Sequence, residues 1–169
     1  MSSLTSPKLA EVAGPCPQVE ALLAAHHALM RAQSPAESCH VMTGEDLQAE
    51  GARVFALSEE DGHILAVGAL KTVAEDAAPV SLAGCGPVVE LKSMHVTATA
   101  RGRGLGHLLL SGMLDMARDA GAGGACLETG TDPVFEPARA LYLSQGFVPC
   151  PPFGGYRFDP LSVFMCREL

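Results

Sequence analysis

Arg101-Gly102-Arg103-Gly104-Leu105-Gly106 is the stretch that decides the fold, because it joins a strand-like segment ending at Val96 to a helix-like segment. Its three glycines leave the backbone free of Cβ obstruction, so successive N–H groups can turn toward one anion. The following helix adds its positive N-terminal end, and Arg101 and Arg103 add full positive charge. The stretch therefore predicts a loop that binds pyrophosphate through the backbone from Gly102 to His107.

Other phosphate-binding loops have a different spacing. A P-loop ends in Gly-Lys-Ser/Thr, whereas this loop continues as Gly106-His107-Leu108. A dinucleotide fingerprint reads G-x-G-x-x-G in the first strand-to-helix turn of a βαβ unit, with an acidic residue about 20 residues further on. Here the glycines read G-x-G-x-G and start only at residue 102. A simple helix cap is the alternative that stays open at this point.

Length, composition and charge narrow the class of protein. The chain has 169 residues, 48% apolar and 18% charged, so it is long enough for one domain, residues 1–169, with its own hydrophobic core. The net charge is −8 and no basic tract lies outside Arg101 and Arg103, which argues against a nucleic-acid partner. No apolar run approaches the roughly 18 residues of a membrane span, so no membrane partner is expected either.

The cysteines and histidines indicate a reduced protein without a metal. The six cysteines stand singly, with no C-x-x-C pair, at positions 16, 39, 85, 126, 150 and 166. The start of the chain shows no signal peptide, and together these features predict a cytoplasmic protein. The pair His26-His27 falls on a helix face without metal-ligand spacing, so we expect no metal site.

Hydrophobic periodicity predicts the element order ααβββαβαββ, with an extra strand around Leu9–Val12. The helices are predicted over Pro17–Gln33, from Thr43 as a candidate N-cap, over Leu105–Ala120 and over Pro137–Gln145. The strands are predicted over Arg53–Ser58, Ile64–Lys71, Val88–Val96, Ala125–Thr129, Phe147-Val148 and Leu161–Cys166. Asp61-Gly62 predicts a hairpin between the first two of these strands. The result is a mixed α/β sheet with the glycine loop at its centre.

The order of these motifs resembles that of the GCN5-related N-acetyltransferases (GNAT). This superfamily places a strand before Arg/Gln-x-x-Gly-x-Gly/Ala, then a helix, a strand, and a helix with a Tyr shortly before Gly-Phe or Gly-Tyr. The chain has the same pieces in order: Leu91–Val96, Arg101–Gly106, Leu105–Ala120, Ala125–Thr129, and Ala138–Phe147 with Tyr142. Further likeness to a bacterial group of these proteins lies in Ser34-Pro35-x-Glu37-Ser38, Glu90-Leu91-Lys92-Ser93-Met94 and Pro152–Met165.

The resemblance implies an α/β (α+β) fold, with a mixed, mostly antiparallel central sheet flanked by helices and with the fourth and fifth strands splayed around the cofactor. It implies an acyl-CoA-dependent N-acyltransferase that moves acetyl from acetyl-CoA, its cosubstrate, to a primary amine by direct attack through a tetrahedral oxyanion. The expected acceptor is a small molecule such as an amino acid or a polyamine. A protein N-terminus or lysine as acceptor, and a non-catalytic acyl-CoA sensor, stay open as alternatives. A homodimer is a possible assembly.

The same resemblance assigns roles to individual residues. Pantetheine is expected to pair with the backbone of Met94–Val96, where the N–H of Met94 or His95 would polarise the thioester carbonyl. Tyr142 is the expected acid for the leaving thiolate, because a phenol with a pKa near 10 stays protonated at neutral pH. The expected cofactor-binding residues are Met94, His95, Val96, Arg101, Gly102, Arg103, Gly104, Leu105, Gly106 and His107.

Glu90 is the leading candidate for the base. It lies eleven residues before Arg101, where some family members place a catalytic glutamate, and partial burial would raise its proton affinity. The alternative is a strand-face pair with Lys92. His95 and His40 are lesser candidates for the base, since imidazole titrates near neutral pH.

The remaining site assignments concern the acceptor pocket and one departure from the family pattern. The pocket is expected to include His40, Glu128 and Tyr156. For Tyr142 the alternative to a catalytic role is that it only packs on its helix. The thiols of Cys126 and Cys150 are expected to be buried and structural, because no His/Asp arrangement accompanies them. Many family members carry an Asn seven residues before the Tyr, where it touches the cofactor. This chain has Phe135 there, which puts that contact in doubt.

Overall fold

A computed structural model describes residues 5–33 and 43–169. His40 lies outside the described residues. The strands are β1 Lys8–Glu11, β2 Arg53–Ser58, β3 Ile64–Val73, β4 Val88–Val96, β5 Gly124–Gly130, β6 Val148–Pro149 and β7 Ser162–Glu168. The helices are α1 Pro17–Gln33, α2 Gly44–Ala49, α3 Leu105–Asp119 and α4 Glu136–Ser144. The predicted element order, including the extra first strand, is therefore confirmed.

The seven strands form one sheet in the order β1-β2-β3-β4-β5-β7-β6. All neighbouring strands are antiparallel except β4 and β5, which run parallel. β7 lies between β5 and the short edge strand β6, so the last strand of the chain is inserted into the sheet rather than added at its edge. The mixed, mostly antiparallel sheet implied by the sequence is confirmed.

The parallel pair opens part of the way along. β4 and β5 are in register from Val88 opposite Gly124 to Leu91 opposite Leu127, and the pairing ends there. Both strands continue, β4 to Val96 and β5 to Gly130. The backbone of these two ends is no longer used by the neighbouring strand, which leaves the splayed opening that the resemblance implied.

A β-bulge at Ser93 changes which face each residue of β4 presents. Ser93 has a φ of 54°, and the register with β3 slips between Lys92 opposite Ala69 and His95 opposite Val67. Side chains alternate between the two faces of a strand, and one extra residue reverses that alternation. Glu90 and His95, five residues apart, consequently lie on the same face of the sheet.

The two faces of the sheet carry separate cores. On one face, α3 and α4 cover a cluster that includes Phe55, Leu91, Leu109, Met113 and Phe147. On the other face, α1 and α2 cover Val54, Ala56, Val67 and Ala69 with Val19, Leu23 and Leu47. Beyond α1, loops cover this second face, where Leu82 and Phe153 pack in one cluster with Phe164 of β7. No helix within residues 5–33 and 43–169 has the length and apolarity to cross a membrane.

The local signals in the sequence explain most element boundaries. Thr43 forms a capping box with Asp46, each side chain accepting from the other residue's backbone N–H. Gly62 takes a φ of 88° in the β2–β3 turn, as the hairpin signal requires. One predicted strand is shifted: β6 covers Val148–Pro149, because the backbone N–H of Phe147 donates to the Tyr142 carbonyl at the end of α4 rather than to a strand.

Gly123 is the glycine whose replacement we expect to lower the stability of the fold most. A Cβ there would overlap the backbone carbonyl of Cys85, while its own N–H and C=O bond Pro87 and Leu169 and so fix the start of β5. We expect Gly123→Ala to lower the free energy of unfolding by about 2–3 kcal/mol in urea denaturation. The control is Gly155→Ala, where an added Cβ meets no atom within 4 Å and the change should stay within about 0.5 kcal/mol. Equal stability of the two variants would contradict this account.

Candidate active site

The glycine loop presents unpaired backbone donors at the start of α3. Gly102 and Gly104 have φ values of 79° and 75°, a left-handed backbone that glycine adopts at low cost. No side chain caps α3 at Gly104, and the Leu108 N–H closes the first helical turn onto the Gly104 carbonyl. The N–H groups just before it therefore lack a partner within the helix. This weighs against the simple cap and favours an external anion.

Three polar contacts tie this loop to the rest of the chain. The Arg101 Nε donates to the Val96 carbonyl over 3.2 Å, which ties the loop back to the end of β4. Arg103 forms a 3.5 Å ion pair with Glu59 in the β2–β3 turn. The Gln145 amide nitrogen lies 2.7 Å from the His107 Nδ1 and links the end of α4 to the first turn of α3. Both arginines are exposed, so their charge is available to an anion that arrives from solvent.

Tyr142 lies on the α4 side of the opening between β4 and β5. Its hydroxyl lies 3.9 Å from the Met94 sulfur on the freed end of β4, and its ring packs edge-on against Phe147 at 5.9 Å. Burial raises the pKa of Tyr142 to about 12. The phenol is therefore protonated at neutral pH and its oxygen lies next to the strand on which pantetheine is expected.

At residue 135, where many members of the family have an Asn, the structure has a packed aromatic ring. Phe135 is buried against Gly130, where a Cβ would overlap the ring. The Arg139 Nη1 donates to the Gly130 carbonyl at 2.6 Å and to the Asp132 carbonyl at 3.1 Å. Phe135 and Arg139 thus hold the turn between β5 and α4 in place, and residue 135 offers no polar group to a cofactor.

Glu90 and Tyr156 meet on the opposite face of the sheet. The Tyr156 hydroxyl donates to the Glu90 Oε1 over 2.6 Å, and the Glu90 side chain is buried. Burial, the charge of Glu90 and this hydrogen bond raise the pKa of Tyr156. The Tyr156 ring is held by Phe153 and Phe164 at centroid distances of 5.4 and 5.5 Å. Among the residues that the structure describes, the hydrogen bond of Glu90 is thus to Tyr156 rather than to Lys92.

Glu128 belongs to the same group of side chains. Its Oε1 accepts a 2.9 Å hydrogen bond from the Ser162 hydroxyl on β7. The charge of Glu128 also contributes to the raised pKa of Tyr156, so the two side chains lie close together. The structure thus brings Glu128 and Tyr156, two of the residues expected in the acceptor pocket, to the candidate base Glu90.

His95, which is buried, and His26, which is half-buried, form a pair on this same face. Their rings meet edge-on with centroids 5.4 Å apart. Burial lowers the pKa of His26 to about 4, with a smaller contribution from His95 and His27. Burial, followed by the charge of Arg101, also lowers the pKa of His95. Both imidazoles are thus neutral at pH 7, and among the residues that the structure describes the His26 Nδ1 has no hydrogen-bond partner.

Sequence reasoning placed His26 on a helix face, where it continues the apolar stripe of Val19, Leu22 and Leu23 at helical spacing. Its partner could not be read from the sequence, since the contact with His95 depends on the bulge at Ser93.

Of the two cysteines near the site, Cys126 is buried and Cys150 is half-buried. Burial, and then the charge of Glu90, raises the pKa of Cys126. Burial and a hydrogen bond with Cys166 raise the pKa of Cys150 to about 12. A thiolate is the nucleophilic form of cysteine, so neither side chain is activated. In the parts of the chain that the structure describes, no group of His, Cys, Asp and Glu residues has a geometry for a metal ion.

An uncapped glycine loop and a parallel strand pair that opens beside it define a class of acyl-CoA-dependent acyltransferases. Residues 20–147 match the model of the Acetyltransferase (GNAT) family, so the chain belongs to this family and is an N-acyltransferase. The chain is 34% identical over 153 residues to the uncharacterized N-acetyltransferase YedL of Escherichia coli K12, covering 90% of this chain and 89% of that protein. It is 38% identical over 136 residues to IAA acetyltransferase of Azospirillum brasilense, covering 80% of each.

Solved structures show the same fold at lower identity. A proposed acyl-CoA N-acyltransferase of Klebsiella pneumoniae superimposes with a TM-score of 0.73 at 24% identity, covering 96% of this chain and 97% of that one. An acetyltransferase of Bacillus subtilis, solved in complex with CoA, gives a TM-score of 0.66 at 13% identity, with coverage of 96% and 99%. The fold class expected from the sequence is confirmed.

The neutral state of His26 predicts how stability depends on pH. Its pKa of about 4 in the folded chain lies below the 6.5 of an ordinary imidazole, so only the unfolded chain takes up this proton between these values. The free energy of unfolding should therefore fall by at most about 2–3 kcal/mol from this group as the pH drops from 6.5 to 4. His26→Leu should make the decline shallower in urea denaturation at pH 7 and pH 4.5. The same change at His63, exposed in the β2–β3 turn, is the control; identical slopes for wild type and His26→Leu would refute the assignment.

Proposed function

We propose that this chain transfers acetyl from acetyl-CoA to the primary amine of a small molecule. The observation that carries the proposal is the opening between β4 and β5, which has the protonated Tyr142 hydroxyl on one face and the buried Glu90 carboxylate on the other. A thioester in this opening would have a proton donor on the side of its sulfur and a proton acceptor on the side from which the amine approaches. Family membership gives the class of reaction, and Tyr142 and Glu90 are the residues proposed as its acid and its base.

The glycine loop would hold the pyrophosphate of the cosubstrate. The uncapped N–H groups at the start of α3 point along the helix axis, where the helix dipole favours negative charge. Arg101 and Arg103 lie on the exposed side of the loop and would add charge-assisted hydrogen bonds.

The freed end of β4 would hold pantetheine and the thioester carbonyl. Backbone N–H groups alternate sides along a strand, and the Thr97 N–H donates to Leu65 on β3. By this alternation from Thr97, the N–H of His95 points toward β3. The N–H groups of Val96 and Met94 point the other way, toward β5, which no longer pairs with β4 at this level. Of the two candidates for stabilising the oxyanion, this favours Met94.

Glu90 would accept the proton of the attacking amine. One carboxylate oxygen is held by Tyr156, and the other has no hydrogen bond to any residue within 5–33 and 43–169. A carboxylate that is fixed at one oxygen and available at the other can take a proton, directly or through a water, without reorientation.

Tyr142 would protonate the departing thiolate. A phenol with a pKa of about 12 is a weak acid, so it can only serve a thiolate of similar basicity. A CoA thiolate formed in a partly buried opening is expected to gain basicity, because burial disfavours the charged form, and this brings its proton affinity toward that of the phenol. Because the pKa values of Cys126 and Cys150 are raised, direct transfer is favoured over an acyl-cysteine intermediate.

The first prediction of this mechanism concerns the loop. Acetyl-CoA and CoA should both raise the melting temperature, whereas NADH, which has a pyrophosphate but no pantetheine, should raise it little. Replacing Arg101 and Arg103 together by Ala should weaken acetyl-CoA binding by about 10–100-fold and reduce the shift. Arg118→Ala, which breaks only an ion pair with Asp115 at the far end of α3, is the matched control. No response to acetyl-CoA or CoA would refute the loop assignment and the proposed activity with it.

The second prediction concerns the acid. Tyr142→Phe keeps the ring packed on Phe147 and removes only the hydroxyl, so kcat for amine-dependent CoA release should fall by roughly 10²-fold. The thermal shift with acetyl-CoA should be unchanged. Equal losses in kcat and in cofactor affinity would indicate a packing role instead. Cofactor binding without CoA release from any amine would favour the alternative of an acyl-CoA sensor.

A further inference from the structure

Tyr156 reaches Glu90 from the loop between β6 and β7. Its hydroxyl donates to the Glu90 Oε1 over 2.6 Å, although 66 residues separate the two in the chain. A length of about 2.5–2.7 Å is typical of a hydroxyl that donates to an ionised carboxylate, and such bonds are roughly twice as strong as those between neutral groups. One oxygen of the candidate base is therefore fixed by a strong hydrogen bond.

The ring of Tyr156 is held in place by its own loop and by β7. The buried rings of Phe153 and Phe164 pack against it with centroids 5.4 and 5.5 Å away. The Tyr156 N–H donates to the Phe153 carbonyl over 3.1 Å, and the Gly154 N–H donates to the Ala77 carbonyl over 2.8 Å, which ties this loop to the one between β3 and β4. A tyrosine has only two side-chain torsions, so a packed ring leaves its hydroxyl little freedom.

A fixed donor affects a carboxylate base in two ways. It holds the carboxylate in one orientation, so that the second oxygen keeps a constant direction. It also stabilises the ionised form, which is the form that accepts a proton. The Glu90 side chain is buried, so water is a poor substitute for this donor when the hydroxyl is removed.

Tyr156 itself is unsuited to take or give the proton of the reaction. Burial, the charge of Glu90 and the hydrogen bond between them raise the pKa of Tyr156 above the value near 10 of an ordinary phenol. The phenol therefore keeps its proton at neutral pH. A proton released by an amine beside these two residues goes to Glu90.

We propose that Tyr156 is a positioning residue for acetyl transfer, whose hydroxyl keeps the Glu90 carboxylate ionised and directs its second oxygen toward the attacking amine. The inference rests on the proposed function and names a residue that acts through its base. In this step the amine nitrogen bonds to the thioester carbon and loses a proton. The proton moves to the Glu90 oxygen that Tyr156 does not hold, and Tyr156 keeps its own proton.

Other titratable groups face Glu90 from the neighbouring elements. Lys71 on β3 is directly opposite Glu90, and its ammonium forms a 2.7 Å ion pair with Glu50 at the end of α2. Cys126 on β5 is opposite Glu90 on the other side, and burial raises the pKa of its thiol. The remaining groups are a lysine on β4, a carboxylate on β5 and two imidazoles that are neutral at pH 7: Lys92, Glu128, His26 and His95. Lysines and thiols stay protonated at acidic pH, so of these groups Glu128 and the two histidines can titrate there besides Glu90.

The first test is Tyr156→Phe, which keeps the ring between Phe153 and Phe164 and removes the donor. Steady-state CoA release would be measured with butylamine, phenethylamine and glycinamide, and the best acceptor of the three would be used throughout. We expect kcat to fall by about tenfold at pH 7, and the acidic limb of its pH profile to move up by about one pH unit, because the ionised carboxylate has lost a hydrogen bond. KM for the amine should change by less than about twofold, and the thermal shift with acetyl-CoA should be unchanged.

Thr131→Val is the matched control for the loop. The Thr131 hydroxyl donates to the Pro160 carbonyl over 3.3 Å, so this variant also removes a hydroxyl that contacts the β6–β7 loop, but one that is not bonded to Glu90. We expect its pH profile to be that of the wild type. A merely structural role of Tyr156 would make the two variants alike.

The second test shows whether Tyr156 acts through Glu90. Glu90→Gln should lower kcat by roughly 10²-fold and abolish the acidic limb. Adding Tyr156→Phe to Glu90→Gln should then change kcat by less than about twofold, because the group through which Tyr156 acts is already absent. Neither protein of this pair leaves a buried carboxylate without its donor, so the comparison stands even if Tyr156→Phe alone folds poorly.

Each outcome separates this inference from the proposed function. An unchanged kcat profile in Tyr156→Phe, a change confined to KM, or a further loss of kcat on adding Tyr156→Phe to Glu90→Gln would overturn the inference while acetyl transfer to amines stands. An acidic limb that survives Glu90→Gln would do the same, since Glu128 or a histidine would then be the titrating group. An absence of CoA release with all three amines, despite binding of acetyl-CoA, would overturn the proposed function and the inference together.

Discussion

The positions of Tyr142, Glu90 and the glycine loop relative to one another depend on the separation of β4 from β5 beyond Leu91 and Leu127. A buried strand end without a neighbour leaves backbone N–H and C=O groups that need a partner, and such groups are costly when they stay unpaired. The gap lies beside the glycine loop, so one extended ligand can satisfy the loop amides and the strand amides together. The pairing of β4 with β3 and of β5 with β7 holds the two strands in place on either side of this gap.

The bulge at Ser93 is the second constraint, and it acts on side chains rather than on the backbone. By reversing the alternation of β4, it places Met94 and Val96 toward α4 and Tyr142, and His95 toward α1 and the acceptor face. Without the extra residue, the strand could not direct Glu90 and His95 to one face while offering the N–H of Met94 to the gap. Ser93 has a positive φ, which is a strained backbone conformation for a residue other than glycine, and the bulge depends on this conformation.

The sequence could predict what depends on local signals. The glycine loop, the α1 and α3 boundaries and the Thr43 cap each follow from residues close together in the chain, and the structure has them. The family resemblance supplied the splayed strands, which no local pattern encodes. What could not be predicted are contacts between distant segments: Tyr156 on Glu90, Ser162 on Glu128, and His26 on His95. These depend on the bulge, on the insertion of β7 beside β5 and on the course of the loop that carries Tyr156.

The two faces of the sheet differ in how polar their buried side chains are. The α3-side core is built almost wholly of apolar side chains, with Tyr142 as its polar member beside the gap. The opposite face buries Glu90, His95 and the Nδ1 of His26, and this nitrogen has no hydrogen-bond partner within the described residues. Buried polar groups cost stability unless they are matched by a partner. In the proposed function this face receives the acceptor, and a polar ligand would offset part of that cost only while it is bound.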